Sequence, residues 1–373
     1  MNVKKLGFGL MRLPLTDEND AGSIDIKKTC EMVDEFINRG FTYFDTAIMY
    51  CNFKSEEAVK EILVKRHPRD AFKLATKLHS RFIKNADSRD EIFNSQLEKT
   101  GAGFFDYYLL HGIGKQSYEI YTKYDCFNWL IEKKKAGLVK NIGFSFHDDA
   151  EFLDKILTEH PEMEFVQLQI NYLDWESEGV QSKKCYEVAT KHKKPVIVME
   201  PVKGGTLAKV PENIEKLFKA YNESASVPSW AIRFTASLEN VFMVLSGMSN
   251  MEQLIDNTNH LMDLKPLTEN EKKVIKTATD MLNSAIEISC TGCEYCLDGC
   301  PKNIAIPKYF SLYNADKQEI AEKQWTPQGE YYDNLAERFG KASDCIACGQ
   351  CEAQCPQHLP IIESLKKVAK HFE

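Results

Sequence analysis

Cys290, Cys293, Cys296 and Cys300 are followed by Pro301, and Cys345, Cys348, Cys351 and Cys355 by Pro356. Both runs read C-x2-C-x2-C-x3-C-P, the spacing of loops that hold [4Fe-4S] clusters. Three thiolates on a tight loop can take three corners of a cubane, and the chain cannot curl round to the last one. In two-cluster proteins the fourth cysteine of each run serves the other cluster. The expected ligand sets are therefore Cys290, Cys293, Cys296 with Cys355, and Cys345, Cys348, Cys351 with Cys300. Zinc favours paired C-x2-C motifs, which a third cysteine and a C-P step fit poorly. Disulfides are disfavoured as well. Lys4, Lys5, Arg12 and Pro14 break up any secretion-type apolar start, and a reducing cytoplasm, the expected location, keeps thiols free.

A second group of residues could move protons. Asp45, Lys77 and His111 end three successive short apolar runs, and Tyr50 lies just beyond the first of them. A phenol can donate a proton to a developing alkoxide. A neighbouring ammonium lowers the phenol's pKa, and a carboxylate beside that ammonium keeps it charged and oriented. An imidazole at the same oxygen can orient a carbonyl. Together they form a proton-donating site suited to reducing C=O when a hydride arrives from the other side.

The elements that must position these groups show in the hydrophobic pattern. Eight short apolar runs read as strands: LGFGLMRL, FTYFDTA, FKLATKL, FDYYLLHG, NIGFSF, FVQLQINYL, PVIVMEP and VFMVLSGM. Amphipathic stretches separate them. Ile26, Cys30, Val33 and Ile37 share one expected helical face, and Val59, Ile62 and Leu63 another. Ser55 and Asp87 or Ser88 are expected N-caps. Buried strands alternating with helices imply a parallel sheet, and eight such units imply an α/β (β/α)8 TIM barrel, whose chemistry sits at the C-terminal strand ends. A doubly wound sheet is the runner-up, weakened by the lack of a Gly-rich phosphate turn after the first strand. The expected division is a barrel over 1–267, a connecting helix over 268–286 and a small, mainly α-helical two-cluster domain over 287–373, packed against the barrel. The net charge of −8 and 43% hydrophobic content fit a cored protein with no nucleic-acid partner. No apolar run has the length of a membrane span.

FDTAIMY…SEEAVKEIL, LATKL and YYLLHG resemble the aldo-keto reductase family, as do KNIGFSFH, Gln167 to Asn171 and SGMSNMEQLIDN. The resemblance spans the barrel, and the cysteine runs point to the branch of that family with a C-terminal dicluster ferredoxin-like domain. It implies a catalytic tetrad of Tyr50, Lys77, Asp45 and His111, a small-molecule carbonyl substrate and NAD(P)H. Ser145 and Gln167 match residues that hold the nicotinamide carboxamide, and Asn257 is kept. The Asn that usually follows the Ser is Phe146. Met199, followed by Glu200, replaces a stacking Tyr. The Lys and Arg that grip a 2′-phosphate fall at Gly247 and Gln253; Lys203 is a candidate replacement cation, while Gly204 and Gly205 suit a turn.

Hydride carries two electrons and each cluster takes one, a mismatch that flavin normally bridges. Three explanations stay open at this stage. A flavin could occupy the remodelled barrel site. The clusters could be structural or dock a redox partner protein. Or they could feed the barrel single electrons while the tetrad supplies protons. A non-enzymatic redox sensor or docking module is the remaining reading. Cys51 reads as a small loop residue with a redox role as the lesser alternative, and Arg12 as either an ion-pair member or a cation for an acidic ligand. Cys30, Cys126 and Cys185 read as small hydrophobes. The Lys133–Lys135 run and Lys191–Lys194 segment read as solvated helix ends.

Overall fold

The computed structural model describes residues 4–283, 287–290, 292–297, 299–318, 325–355 and 357–373. The expected Pro356, the end of the connecting helix at 284–286 and part of the helical patch at 312–323 lie outside them. Eight parallel strands close into a barrel in chain order: β1 (Leu6–Gly9), β2 (Tyr43–Asp45), β3 (Lys73–His79), β4 (Phe105–Ile113), β5 (Val139–Phe146), β6 (Phe165–Gln169), β7 (Val196–Met199) and β8 (Val241–Gly247). Each falls on one of the eight apolar runs. β1 pairs with β8, so no sheet edge is left.

Side chains alternate across a strand with period two, and that period decides what faces the barrel axis. Tyr43, Ala75, Leu109, Phe165, Ile197, Met243 and Leu245 fill the interior. Phe8, Phe44, Leu74 and Leu110 point outward into the layer between sheet and helices. Two residues beyond the inner layer, on the same face, come Asp45, Lys77, His111, Gln167, Met199 and Gly247. Gly143 lies inward on β5, and Ser145 is its next inward neighbour, paired with Gln167. The barrel is tight at Gly143, where an added Cβ would stand 2.5 Å from the Phe165 carbonyl oxygen.

The first helix, Ile26–Asn38, is capped by Asp25, whose carboxylate accepts from the Lys28 N–H. Its buried face is Thr29, Met32, Val33 and Phe36, and Ile26 is exposed. The expected face was therefore rotated: the Phe36 ring, stacked among Phe8, Phe41 and Phe44, takes the sheet-facing position. Val59, Ile62 and Leu63 are buried together as expected. Ser55 is no cap; its hydroxyl donates to the Leu10 carbonyl and lies 2.7 Å from Thr46 Oγ1. At the helix Asp87–Thr100, Asn85 accepts from the Ser88 N–H while Ser88 Oγ accepts from the Asn85 N–H, so the capping group sits earlier than expected.

The helix Glu269–Asn283 packs Ile275 and Ala278 against Leu207, Phe218 and Trp230 of the barrel's last units. The cysteine region then builds its own core from Ile304, Ile306, Tyr309, Phe310, Leu335, Ile361 and Leu365, and barrel residue Val180 is part of it. Three further contacts fasten this domain to the C-terminal face of the barrel. Ser311 Oγ accepts from the Gly179 N–H. Asn334 donates to the His147 carbonyl at 2.9 Å. Arg338 pairs with both Asp148 and Asp149. Among the described residues no helix is long and apolar enough to cross a membrane.

Candidate active site and cluster cavities

Strand ends bring the four proton-handling residues together. Lys77 Nζ donates to Asp45 Oδ1 at 2.5 Å and to the Thr46 carbonyl at 2.8 Å. It lies 4.9 Å from the centre of the Tyr50 ring. The Tyr50 and His111 rings meet edge to face at 6.1 Å. Tyr50 is held by an unusual turn: Cys51, Asn52 and Phe53 all have positive φ, at 48°, 49° and 66°. Non-glycine residues avoid this region, so the packing around the turn enforces it. Cys51 anchors the turn with its buried thiol 3.5 Å from the Leu10 and Met11 carbonyls. Burial raises the Cys51 pKa, which suits a packing role.

Lys77 and Asp45 are both buried. Burial acts to discharge Lys77, but Asp45 and Tyr50 outweigh it and its pKa rises. Burial also raises Asp45, with Lys77 opposing. For Tyr50 the balance differs from the simple expectation of a lowered phenol. Burial pushes it up and Lys77 only partly pulls it back, so the phenol holds its proton. Burial, His79, Lys77 and His147 all push His111 well below the usual imidazole range. A neutral His111 results, with Nδ1 buried and unpartnered.

The bulge at the end of β4 sets His111. Register slips there against β5, and Gly112 takes a left-handed φ of 62°. Its N–H donates to Ser145 Oγ at 2.7 Å. Gln167 donates weakly to Met199 Sδ at 3.5 Å and leaves its Oε1 buried without a partner. Asn257 donates to Ser246 Oγ. Gln253 accepts from the Ser249 N–H, next to Gly247 at the end of β8. The Arg12 side chain lies over Gly247, donates to the Gly204 carbonyl and pairs with Glu200 at 3.6 Å. Lys203 has a different surrounding from the one expected. Its ammonium is buried against Asp174, 2.8 and 3.0 Å from the two carboxylate oxygens, and Gln169 and Asn171 donate to the same carboxylate. Its charge is thus already met inside the protein.

Two histidines of this site went unread in the sequence. His79 stands two residues beyond Lys77, and His147 two beyond Ser145. The strand alternation that places Lys77 and Ser145 inward also carries these residues to the mouth. The His79 and His111 rings lie 5.0 Å apart.

The cysteines line two separate cavities. One is bounded by Cys290, Cys293, Cys296 and Cys355 with Ile306, Pro307 and Phe310. The other is bounded by Cys345, Cys348, Cys351 and Cys300 with Ile304, Ile346 and Leu365. The fourth cysteine of each run has crossed to the other cavity. Among the described residues no three metal-binding side chains converge on one point. Four sulfurs that line one pocket without converging on a point suit a polynuclear cluster, in which each thiolate meets a different iron, better than a single tetrahedral ion.

The Aldo/keto reductase family model matches residues 5–280. The chain belongs to the aldo/keto reductase family. A second match, to the 4Fe-4S dicluster domain, covers residues 289–359. This aldo/keto reductase is 24% identical over 312 residues to the uncharacterized oxidoreductase YqkF of Bacillus subtilis, covering 75% of this chain and 94% of that one. The fold is also that of aldo-keto reductase AKR11C1 from Bacillus halodurans in its holo form, with a TM-score of 0.60, 23% identity, and 74% and 92% of the two chains covered. An aldo/keto reductase from Klebsiella pneumoniae in complex with NADP and acetate gives a TM-score of 0.58 at 17% identity, over 74% and 91% of the chains. The protein is therefore an oxidoreductase: an aldo/keto reductase barrel joined to a 4Fe-4S ferredoxin-type domain.

Proposed function

We propose that the protein reduces a small-molecule carbonyl, or oxidises the matching alcohol, at Tyr50. The observation that carries this reading is the buried Asp45–Lys77 pair set against Tyr50, with neutral His111 on the phenol's other side. Tyr50 donates its proton to the carbonyl oxygen as charge develops there. Lys77, held charged by Asp45, stabilises the phenolate that remains. His111 orients the carbonyl. Bound NAD(P)H would supply the hydride. The unpartnered Gln167 Oε1 beside Ser145 offers the carboxamide an acceptor, and Met199 offers the ring an apolar face. Gly247, Gln253 and Asn257 frame the far end, where the Arg12 side chain lies over Gly247 while paired with Glu200. The cavities fit two [4Fe-4S] clusters, with the crossed cysteine sets as ligands. We assign 1–267, 268–286 and 287–373 as barrel, connecting helix and cluster domain.

In the Tyr50→Phe variant, NAD(P)H-dependent turnover of an aldehyde panel should fall by at least about a thousandfold, in line with the loss of a general acid and its preorganised charge. Cluster absorbance should be unchanged. Retention of more than a tenth of the activity would contradict the assignment. One observation favours a second reading, in which the clusters relay single electrons to the barrel. Phe310 lines the first cavity, and the next residue, Ser311, hydrogen-bonds the barrel loop. Rapid bleaching of the clusters by NAD(P)H, at the turnover rate, would support this relay. Its absence during steady turnover would remove it.

A further inference from the structure

The mouth of the barrel is completed by the cluster domain. His79, His111 and His147 stand at the ends of β3, β4 and β5, three neighbouring strands. Over them lies the helix Pro327–Ala336. Glu330 Oε1 stands 3.0 Å from where a Cβ on Gly112 would be, the residue after His111. The carboxylate acts electrostatically on both His79 and His147. The next residue, Tyr331, packs its ring against His147 at 5.5 Å. Asn334 fills the space above Gly114 and holds the His147 carbonyl. These contacts hold the helix that carries Glu330 over the mouth.

Two further facts bear on what this mouth can bind. The Nδ1 atoms of His111 and His147 are buried and lack partners, although buried polar groups are nearly always hydrogen-bonded. Moreover, each cation named at the mouth faces a carboxylate: Lys77 has Asp45, Lys203 has Asp174, and Arg12 has Glu200. An anionic substrate would meet the like charge of Glu330, offset only by the solvent-exposed Arg81 two residues beyond His79. Burial holds His79 and His147 toward the neutral form, so they offer hydrogen bonds and no net charge. A carboxylate with neutral imidazoles is a donor–acceptor set matched to hydroxyl groups.

We propose that Glu330, carried in by the cluster domain, is a specificity-determining residue of the barrel's active site: with His79 and His147 it binds the hydroxyl groups of a neutral, hydroxyl-bearing carbonyl substrate and disfavours anionic ones. This rests on the carbonyl-reductase reading above and adds the substrate class. It also gives the cluster domain a task in the barrel that is independent of electron transfer. A site built to hydrogen-bond a substrate hydroxyl discriminates strongly against the analogue that lacks it, because its polar groups are then left unpaired.

The test uses the full-length, cluster-loaded protein and its Glu330→Gln variant. Glyceraldehyde, propionaldehyde and glyoxylate serve as hydroxylated, plain and anionic substrates, and calorimetry with the non-reacting polyol erythritol gives a readout free of turnover. In the variant, the ratio of kcat/KM for glyceraldehyde to that for propionaldehyde should fall at least tenfold, while kcat/KM for glyoxylate rises. Erythritol binding should weaken at least fivefold. An unchanged ratio, or equal losses on both aldehydes, would overturn the proposal. If the wild-type protein reduces neither aldehyde, the reductase reading falls and erythritol decides alone: binding lost in the variant supports the site, and no binding or equal binding rejects it. Should the Gln variant lose cluster absorbance, Glu330→Asp takes its place, with the same ratio read.

Discussion

Lys77 is charged at a fully buried position, and Asp45 is the reason. Replacing Asp45 by Asn leaves the ammonium buried without a counter-charge, which costs about 3–5 kcal/mol of stability when one partner of a buried pair is removed. Burial then prevails at Lys77, its pKa falls, and the alkaline limb of the kcat profile should move to lower pH; a pH–rate profile of Asp45→Asn checks this. The histidines give a second prediction. His79, His111 and His147 all have pKa values lowered mainly by burial. The unfolded chain therefore takes up these protons first as pH drops through about 6.5. Their contribution to stability is full above that pH and is lost below it, at up to about 1.4 kcal/mol per pH unit for each histidine. Asp148 acts in the opposite sense. Burial raises it to about 6 against the pull of Arg338, so the stability it contributes at low pH is lost as pH rises toward 6. Comparing wild type with His147→Gln isolates the histidine part. The variant should show a shallower loss between pH 7 and 5.5 in denaturant titrations, and an identical slope would contradict the burial argument. Asp45, Tyr50, Lys77 and His111 were legible as residues because strand ends announce themselves in the pattern. The Asp174 partner of Lys203 was not, because the two residues lie on different loops and only folding brings them together.

Strands were the most legible elements. Period-two alternation places eight runs and also says which residues face inward, enough to find His79 and His147 had it been carried one step past Lys77 and Ser145. Helices were read less well. On Ile26–Asn38 aliphatic residues marked one face, but the aromatic Phe36 with Met32 faces the sheet. The strained turn after Tyr50 left little signal, since of Cys51, Asn52 and Phe53 only Asn52 is of a type that favours positive φ. Close packing within the barrel yields a prediction of its own. An alanine methyl at Gly143 would press on the Phe165 backbone oxygen, and strand backbone has little room to shift. Gly143→Ala should lose about 1–3 kcal/mol. Gly9→Ala, whose Cβ would stay 3.4 Å from its nearest backbone atom, should lose clearly less. Thermal melts of the two variants give the comparison, and equal melting temperatures would contradict it.

The whole molecule joins two domains whose roles met only in the structure. Two cysteine runs announced the cluster domain, and their spacing led to the expectation that the fourth cysteine of each run crosses over, as it does in the lining of the two cavities. Its docking over the barrel mouth could not be read, because Glu330 and Asn334 sit in a helix, and Arg338 in the turn just after it, with no pattern linking them to β4 or β5. Arg338 is the main polar fastening. Arg338→Ala would leave Asp148 and Asp149 together without their cation, and the interface should open; limited proteolysis should then release the cluster domain sooner than in wild type, while equal resistance would show that the apolar contacts around Val180 suffice. On the proposed reading, this barrel moves hydride directly and does not route electrons through its clusters. The most direct measurement is turnover with NAD(P)H deuterated at C4 and mass analysis of the product alcohol. Deuterium on the former carbonyl carbon, in one stoichiometric equivalent from the transferring face, is the predicted result. Product carrying solvent hydrogen at that carbon would contradict it.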